Sequence, residues 1–186
     1  NKTSKLDELV TREIPLLPVQ QAFLQPGGET RGEYLVVLTL RTPTGARPDR
    51  IRSVLEWLVA RHDAFRLRFR LVDGKWTQKY GSSEVTLPLD ILDMKGLRGE
   101  QVTEQAAAVE QKLLTGFDLE NGPLVRMFFY DRGADAKGIL CIALHHIAVD
   151  AMSIVTLVSE FNQCWASLYR DQGFPAFKLP EPSFGS

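Results

Sequence analysis

Cysteine is scarce in this chain of 186 residues, with only Cys141 and Cys164 present. Both lie inside apolar segments and lack the spacing of a metal or redox pair, so they are expected to be buried free thiols. Histidine is scarce too, at three residues, and two of them are adjacent. Side chains at i and i+1 do not easily ligate one ion, and His62 is the only other imidazole, so no metal centre is expected. Long apolar runs are missing: none approaches the ~18 residues of a membrane span, and Asn1 to Glu13 is polar without a signal-peptide core. A cytoplasmic protein with no membrane partner is expected. There is no excess of either charge, because Lys+Arg 22 against Asp+Glu 23 leaves a net charge of -1. Without a basic stripe, the electrostatic term that drives nucleic-acid binding is absent, so no nucleic acid is expected as partner.

What is present is the composition of an ordinary globular domain, 44% hydrophobic and 24% charged. A chain of this length buries roughly 70% of its unfolded surface, enough for one core without staples. The chain lacks an initiator methionine, and residues 178–186 read as a linker cut short, so a piece of a longer protein is expected.

Tyr34 to Leu40 is rich in β-branched and aromatic residues and is expected to be a strand buried on both faces. After Pro48, the residues Ile51, Val54, Leu55, Leu58 and Val59 mark one stripe of a helix ending near Arg61 and His62. Arg66 to Leu71 alternates at period two, Asp73-Gly74 supplies a turn, and Trp76 to Tyr80 returns as a hairpin partner. An extended stretch from Val85 to Leu89 precedes a helix over 99–114, with Val102, Ala106, Val109 and Leu113 on one side and Gly116 as its cap. Leu124 to Tyr130 and Gly138 to Leu144 read as two strands, the second apolar throughout and hence central. A final helix from Ala151 to about Tyr169 carries Ile154, Leu157, Val158, Phe161 and Trp165, with Asp150 placed to cap it. The aromatic residues Trp57, Phe65, Phe128, Phe129, Phe161 and Trp165 fall on apolar faces and are expected in the core. The pattern predicts an α+β fold, with helices packed on a largely antiparallel mixed sheet.

Reactive side chains concentrate between Leu144 and Ser153, at the end of the central strand, where strands feeding helices tend to form sites. Neighbouring residues on a strand point to opposite sides, so His145 and His146 face different surroundings, one structural and one available for chemistry. Spacing alone favours two hydrogen-bonded strand-end histidines and an N-cap aspartate. Ser153 has no nucleophile elbow around it and is expected to play a polar role in the first helical turn. His62 is expected to cap helix carbonyls at the negative end of the macrodipole.

The wider sequence supplies context. The segment HHIAVD from His145 to Asp150 resembles the HHxxxDG signature of the condensation domains of nonribosomal peptide synthetases. LPVQQAFL, from Leu17 to Leu24, looks like the opening motif of that family, and RHDAFRLRF, from Arg61 to Phe69, is similar to its RHExLRTxF element. FDLENGPLVR, from Phe117 to Arg126, resembles the stretch leading into the strand before the double histidine. Ala151 stands where the signature has Gly, and Ile154 follows Ser153 where many relatives carry Trp at a neighbouring position.

The resemblance implies a fold of two halves, each similar to chloramphenicol acetyltransferase. It assigns residues 1–175 to the N-terminal half and 176–186 to the start of a linker toward a C-terminal subdomain. It implies an acyltransferase that joins an acyl thioester on one carrier protein to an amine on another, forming an amide in a tunnel between the halves. No cofactor is bound directly; the substrates ride on the phosphopantetheine of peptidyl or acyl carrier proteins. His146 matches the catalytic position, where an imidazole takes a proton from the attacking amine or orients it. His145, Asp150, Ala151 and Arg61 are its expected structural support, with Arg61 the candidate partner of Asp150 and Arg66 the second choice; a solvated Arg61 at a helix end is the alternative. Other readings that the resemblance leaves open are a non-catalytic platform for carrier proteins or tailoring enzymes, an epimerization domain half and an acyltransferase using coenzyme A.

Overall fold

The computed structural model describes residues 13–25, 34–81 and 88–169. The expected linker junction at 175–176 and the expected extended residues 85–87 lie outside them. Within them the elements run β1 (Glu13–Ile14), α1 (Pro18–Leu24), β2 (Leu35–Thr44), α2 (Pro48–Arg61), β3 (Leu67–Val72), β4 (Lys75–Tyr80), β5 (Leu89–Asp93), α3 (Glu100–Leu113), β6 (Val125–Asp131), β7 (Lys137–His145) and α4 (Ala151–Tyr169). Short 3-10 turns at Asp63–Arg66 and His146–Ala148 precede β3 and α4. Among the described residues no helix is long and apolar enough to cross a membrane.

A four-stranded sheet in the order β2-β7-β6-β5 forms the frame, antiparallel except for the parallel β5-β6 pair. The apolar strand Lys137–His145 is internal, as its lack of alternation predicts. One face carries Leu140, Ile142 and Leu144 of β7 with Met127 and Phe129 of β6, and α2 and α4 close over it through Ile51, Val54, Leu58, Leu157 and Phe161. Phe129, Ile51, Leu58 and Phe161 are all at most 2% exposed. On the other face α3 presents Val102, Ala106 and Val109 to Phe128, Tyr130 and Ala143. Close approach of β7 to β6 explains a glycine here: a Cβ on Gly138 would lie 2.5 Å from the Phe129 ring and 2.9 Å from the Tyr130 carbonyl oxygen.

The hairpin forms as expected, with Asp73 and Gly74 both at positive φ in its turn and Leu71 facing Trp76. With β1 it makes a second sheet, β1-β4-β3. Phe69 of β3, fully buried, joins Leu24 of α1, Leu124 and Ile147 in a third apolar cluster. That cluster ties the small sheet and α1 to the turn immediately after His146.

One expectation needs correction. β2 is not buried on both faces, because it is an edge strand and α3 packs over β5 to β7; its Val37 is 43% exposed. The third extended segment is described only at its end, where Leu89 opens β5 and faces Met127 in the parallel pair.

Candidate active site

β7 delivers the two histidines to different places. His145 is its last residue, on the face opposite Leu144, and has no exposed surface. Its backbone N-H donates to the Leu124 carbonyl at 2.9 Å, and its Nδ1 accepts from the Ile147 N-H at 3.3 Å. Phe23 meets the His145 ring edge-on at 5.6 Å, and Phe117 lies at 6.1 Å. His145 therefore shapes the turn that follows it and belongs to the interior.

His146 opens the 3-10 turn and is half-buried. Its backbone N-H donates to the Tyr34 carbonyl at 2.9 Å, which extends the β2-β7 ladder by one bond. Its ring lies 4.6 Å from the Tyr34 ring, and it lines a largely apolar cavity of about 290 Å3 together with Leu17, Phe23, Val149 and Ser153. Gln20, 4% exposed, braces the same turn: its Nε2 donates to the Ile147 carbonyl at 3.2 Å, and its Oε1 accepts from the Leu17 N-H at 2.9 Å.

Asp150 also borders the cavity and is exposed. It caps α4, its Oδ1 accepting from the Ser153 N-H at 2.7 Å. The Ser153 side chain first, and that N-H with it, hold the carboxyl below the usual carboxylate range. Ser153 thus serves as an exposed cap partner in the first turn. Ala151 starts α4; its side chain lies outside what the structure describes.

The expected Arg61-Asp150 pair does not form. Arg61 Nη2 instead lies 3.2 Å from Glu160 Oε1, and its guanidinium sits over the Trp57 ring at 4.9 Å. His62 Nε2 reaches the other Glu160 oxygen at 2.7 Å. The side chain of His62 therefore addresses a carboxylate rather than helix carbonyls; its backbone N-H closes α2 on Leu58 and Val59. Arg66, the second choice, pairs with Asp63 at 2.6 Å and lies over Tyr80. The physical reason lies in α4, where Glu160 is the only charged residue between Ala151 and Tyr169. A lone carboxylate on an apolar helix draws Arg61 and the His62 ring, while the exposed Asp150 is satisfied by its own helix. Nearby, burial pushes the Cys164 thiol up to about 11, leaving it an unreactive packing group.

Tyr34 and Glu160 lie outside the motifs, and Gln20 lies within the first one without being marked there as a site residue. The available signals are the pair Gln20-Gln21 inside an otherwise apolar short helix and a single acid in α4. Tyr34 carries no signal beyond its place at the mouth of a strand. The four segments that carry the resemblance nonetheless converge in space. Gln20 from the first touches the turn after His146, Phe69 from the second packs with Ile147, and Phe117 and Leu124 from the third contact His145.

Comparison with known proteins gives the same grouping. Residues 10–184 match the family described as Condensation domain. A linear gramicidin synthase of Brevibacillus parabrevis is 30% identical over 156 residues, covering 84% of this chain and 3% of that protein. Surfactin synthase subunit 2 of Bacillus subtilis (strain 168) is 31% identical over 155 residues, covering 82% of this chain and 4% of that protein. The chain thus spans a few per cent of the length of these relatives. In fold it is similar to the epimerization domain from the third module of tyrocidine synthetase B, with TM-score 0.78 and 24% identity over 93% of this chain and 38% of that one. It is also similar to the starter condensation domain of rhizomide synthetase, with TM-score 0.72 and 17% identity over 90% of this chain and 40% of that one.

Proposed function

The chain belongs to the condensation domain family of nonribosomal peptide synthetases, and on that premise we propose that it supplies the histidine wall of an amide-forming site. In this reading residues 1–175 are the N-terminal half of a condensation domain, 176–186 begin the linker, and a C-terminal subdomain of the same synthetase provides the other wall. That the matched solved chains are more than twice as long supports it.

The reaction needs little covalent chemistry from the protein. An amine on one phosphopantetheine arm attacks the thioester carbonyl on another; the C-N bond forms, the C-S bond breaks, and the sulfur leaves as thiol. His146 takes the proton that the nitrogen sheds and returns it to the departing sulfur, or holds the amine so that its lone pair aims at the carbonyl. Holding both arms together contributes most of the acceleration through effective molarity. Peptidyl or acyl carrier proteins are the partners that deliver both arms.

The observation that carries the reading is the split between the histidines. His145 is fully buried and hydrogen-bonded, whereas the His146 ring lines an apolar cavity and, among the described residues, makes no side-chain hydrogen bond. An imidazole left in that state is available to a substrate amine.

The test is a single-turnover reaction of the complete synthetase with a donor carrier loaded as acyl thioester and an acceptor carrier loaded with an aminoacyl group. An amide on the acceptor carrier is the expected product. Exchange at the donor α-carbon without amide would instead mark an epimerization domain, and carrier binding with neither product would mark a non-catalytic platform.

A further inference from the structure

We propose that Tyr34 is a positioning residue that orients the His146 imidazole. This rests on the acyl-transfer reading of His146 and names how that ring is held.

A side-chain imidazole turns about two torsions, and a residue at the first position of a turn has no strand neighbour beyond it to restrict them. A hydrogen bond would fix the ring but occupy one of its two nitrogens. Among the described residues none does so. Tyr34 offers the other solution. Its ring centroid lies 4.6 Å from that of His146 at an interplanar angle of 38°, which engages a face of the imidazole. The ring nitrogens lie at the edge, so a face contact leaves them for a substrate amine.

Tyr34 is itself held from both directions. Its carbonyl accepts the His146 N-H at 2.9 Å, so the two residues are locked in register. Phe23 of α1 packs on its ring at 5.6 Å and 40° and meets His145 edge-on at 5.6 Å and 90°. The four rings form a chain, His145-Phe23-Tyr34-His146, running from the interior to the cavity. Its inner end is fully buried, while Tyr34 is 40% exposed, so the outer pair can be altered without opening the core.

A simple packing role would make Tyr34 matter for stability alone, and a positioning role makes it matter for the ring of His146. The experiment has two arms, each comparing the natural chain with Tyr34→Phe, Tyr34→Leu and Tyr34→Met. In the first arm, NMR follows the χ1 and χ2 rotamer populations of His146 through vicinal couplings and intraresidue NOEs, which do not depend on the ring current of a neighbour. The expected result is one dominant rotamer in the natural chain and in Tyr34→Phe, averaged rotamers in the Leu and Met variants, and no change at His62. In the second arm, amide formation is measured in the complete synthetase. A ring contact of this kind corresponds to roughly 2- to 10-fold in rate, so kcat should fall by about that factor in the Leu and Met variants, with KM unchanged. Tyr34→Phe should restore it.

An unchanged His146 rotamer distribution in both non-aromatic variants would overturn the proposal. So would a Tyr34→Phe variant as slow as Tyr34→Leu, because the ring would then not be the operative group. If His146→Ala retains full activity, the acyl-transfer reading fails, and the NMR arm alone then decides whether Tyr34 orients the ring.

Discussion

The cluster at Glu160 and the cavity at His146 both place a histidine beside α4, but they leave it in opposite states. At Glu160 two side chains from the end of α2 close on one largely buried carboxylate, Arg61 at 3.2 Å and His62 at 2.7 Å. Both carboxylate oxygens are engaged there, and the result is a clamp between two helices on the same face of the sheet. At His146 the ring touches another ring, the cavity beside it is lined mostly by apolar side chains, and the Asp150 carboxylate at its border caps its own helix. The first arrangement suits holding the fold and the second suits meeting a substrate. Substitutions at three positions sharpen this contrast.

The largest effect is expected at the clamp. Glu160→Ala removes the carboxylate that Arg61 and His62 share, and loss of one member of a largely buried pair should destabilise the protein by about 3 kcal/mol. In a chain of this size that is roughly 6–12 °C in melting temperature. A thermal melt near that of the natural chain would mean that the clamp is peripheral.

A smaller loss is expected at the brace beneath the cavity. Gln20→Leu removes one hydrogen bond to the Ile147 carbonyl and one from the Leu17 N-H. Leaving two backbone groups unpaired costs about 1–3 kcal/mol. Chemical denaturation measures it, and hydrogen exchange should localise the change to α1 and to the turn after His146.

The smallest effect is expected at Asp150, which is exposed. Asp150→Ala should lower melting by a few degrees at neutral pH through loss of the α4 cap, while Asp150→Asn, whose amide oxygen also accepts, should stay close to the natural chain. Because folding lowers the pKa of this carboxyl, its contribution is fully present above the ordinary carboxylate value of ~3.9 and is lost as pH falls through the lower folded value. The gap between the natural chain and Asp150→Ala should therefore close in acid. A gap that widens in acid would contradict the cap.

Much of this contrast is legible in the order of the residues. Apolar period separates the internal strand β7 from the hairpin, helical stripes place α2, α3 and α4, and the rule of opposite faces divides His145 from His146. What escapes is long-range pairing. The Arg61 motif lies far in sequence from both carboxylates, and nothing local shows that Glu160, buried among apolar residues of α4, competes better for it than Asp150. The exposure of Val37 escapes for a similar reason: an apolar strand reads alike at the edge and at the centre, and only strand order decides which face a helix covers. Tyr34 reads only as the start of a strand because its partner ring arrives from the far end of β7.

The central claim is that His146, rather than its buried neighbour, acts in amide formation. Its most direct test is His146→Ala in the complete synthetase, with amide yield and melting measured on the same preparation. The account predicts a rate lower by about 100-fold, with melting changed by less than about 2 °C because the ring is not a core group. Full amide formation by His146→Ala, or a variant that fails to fold, would contradict it.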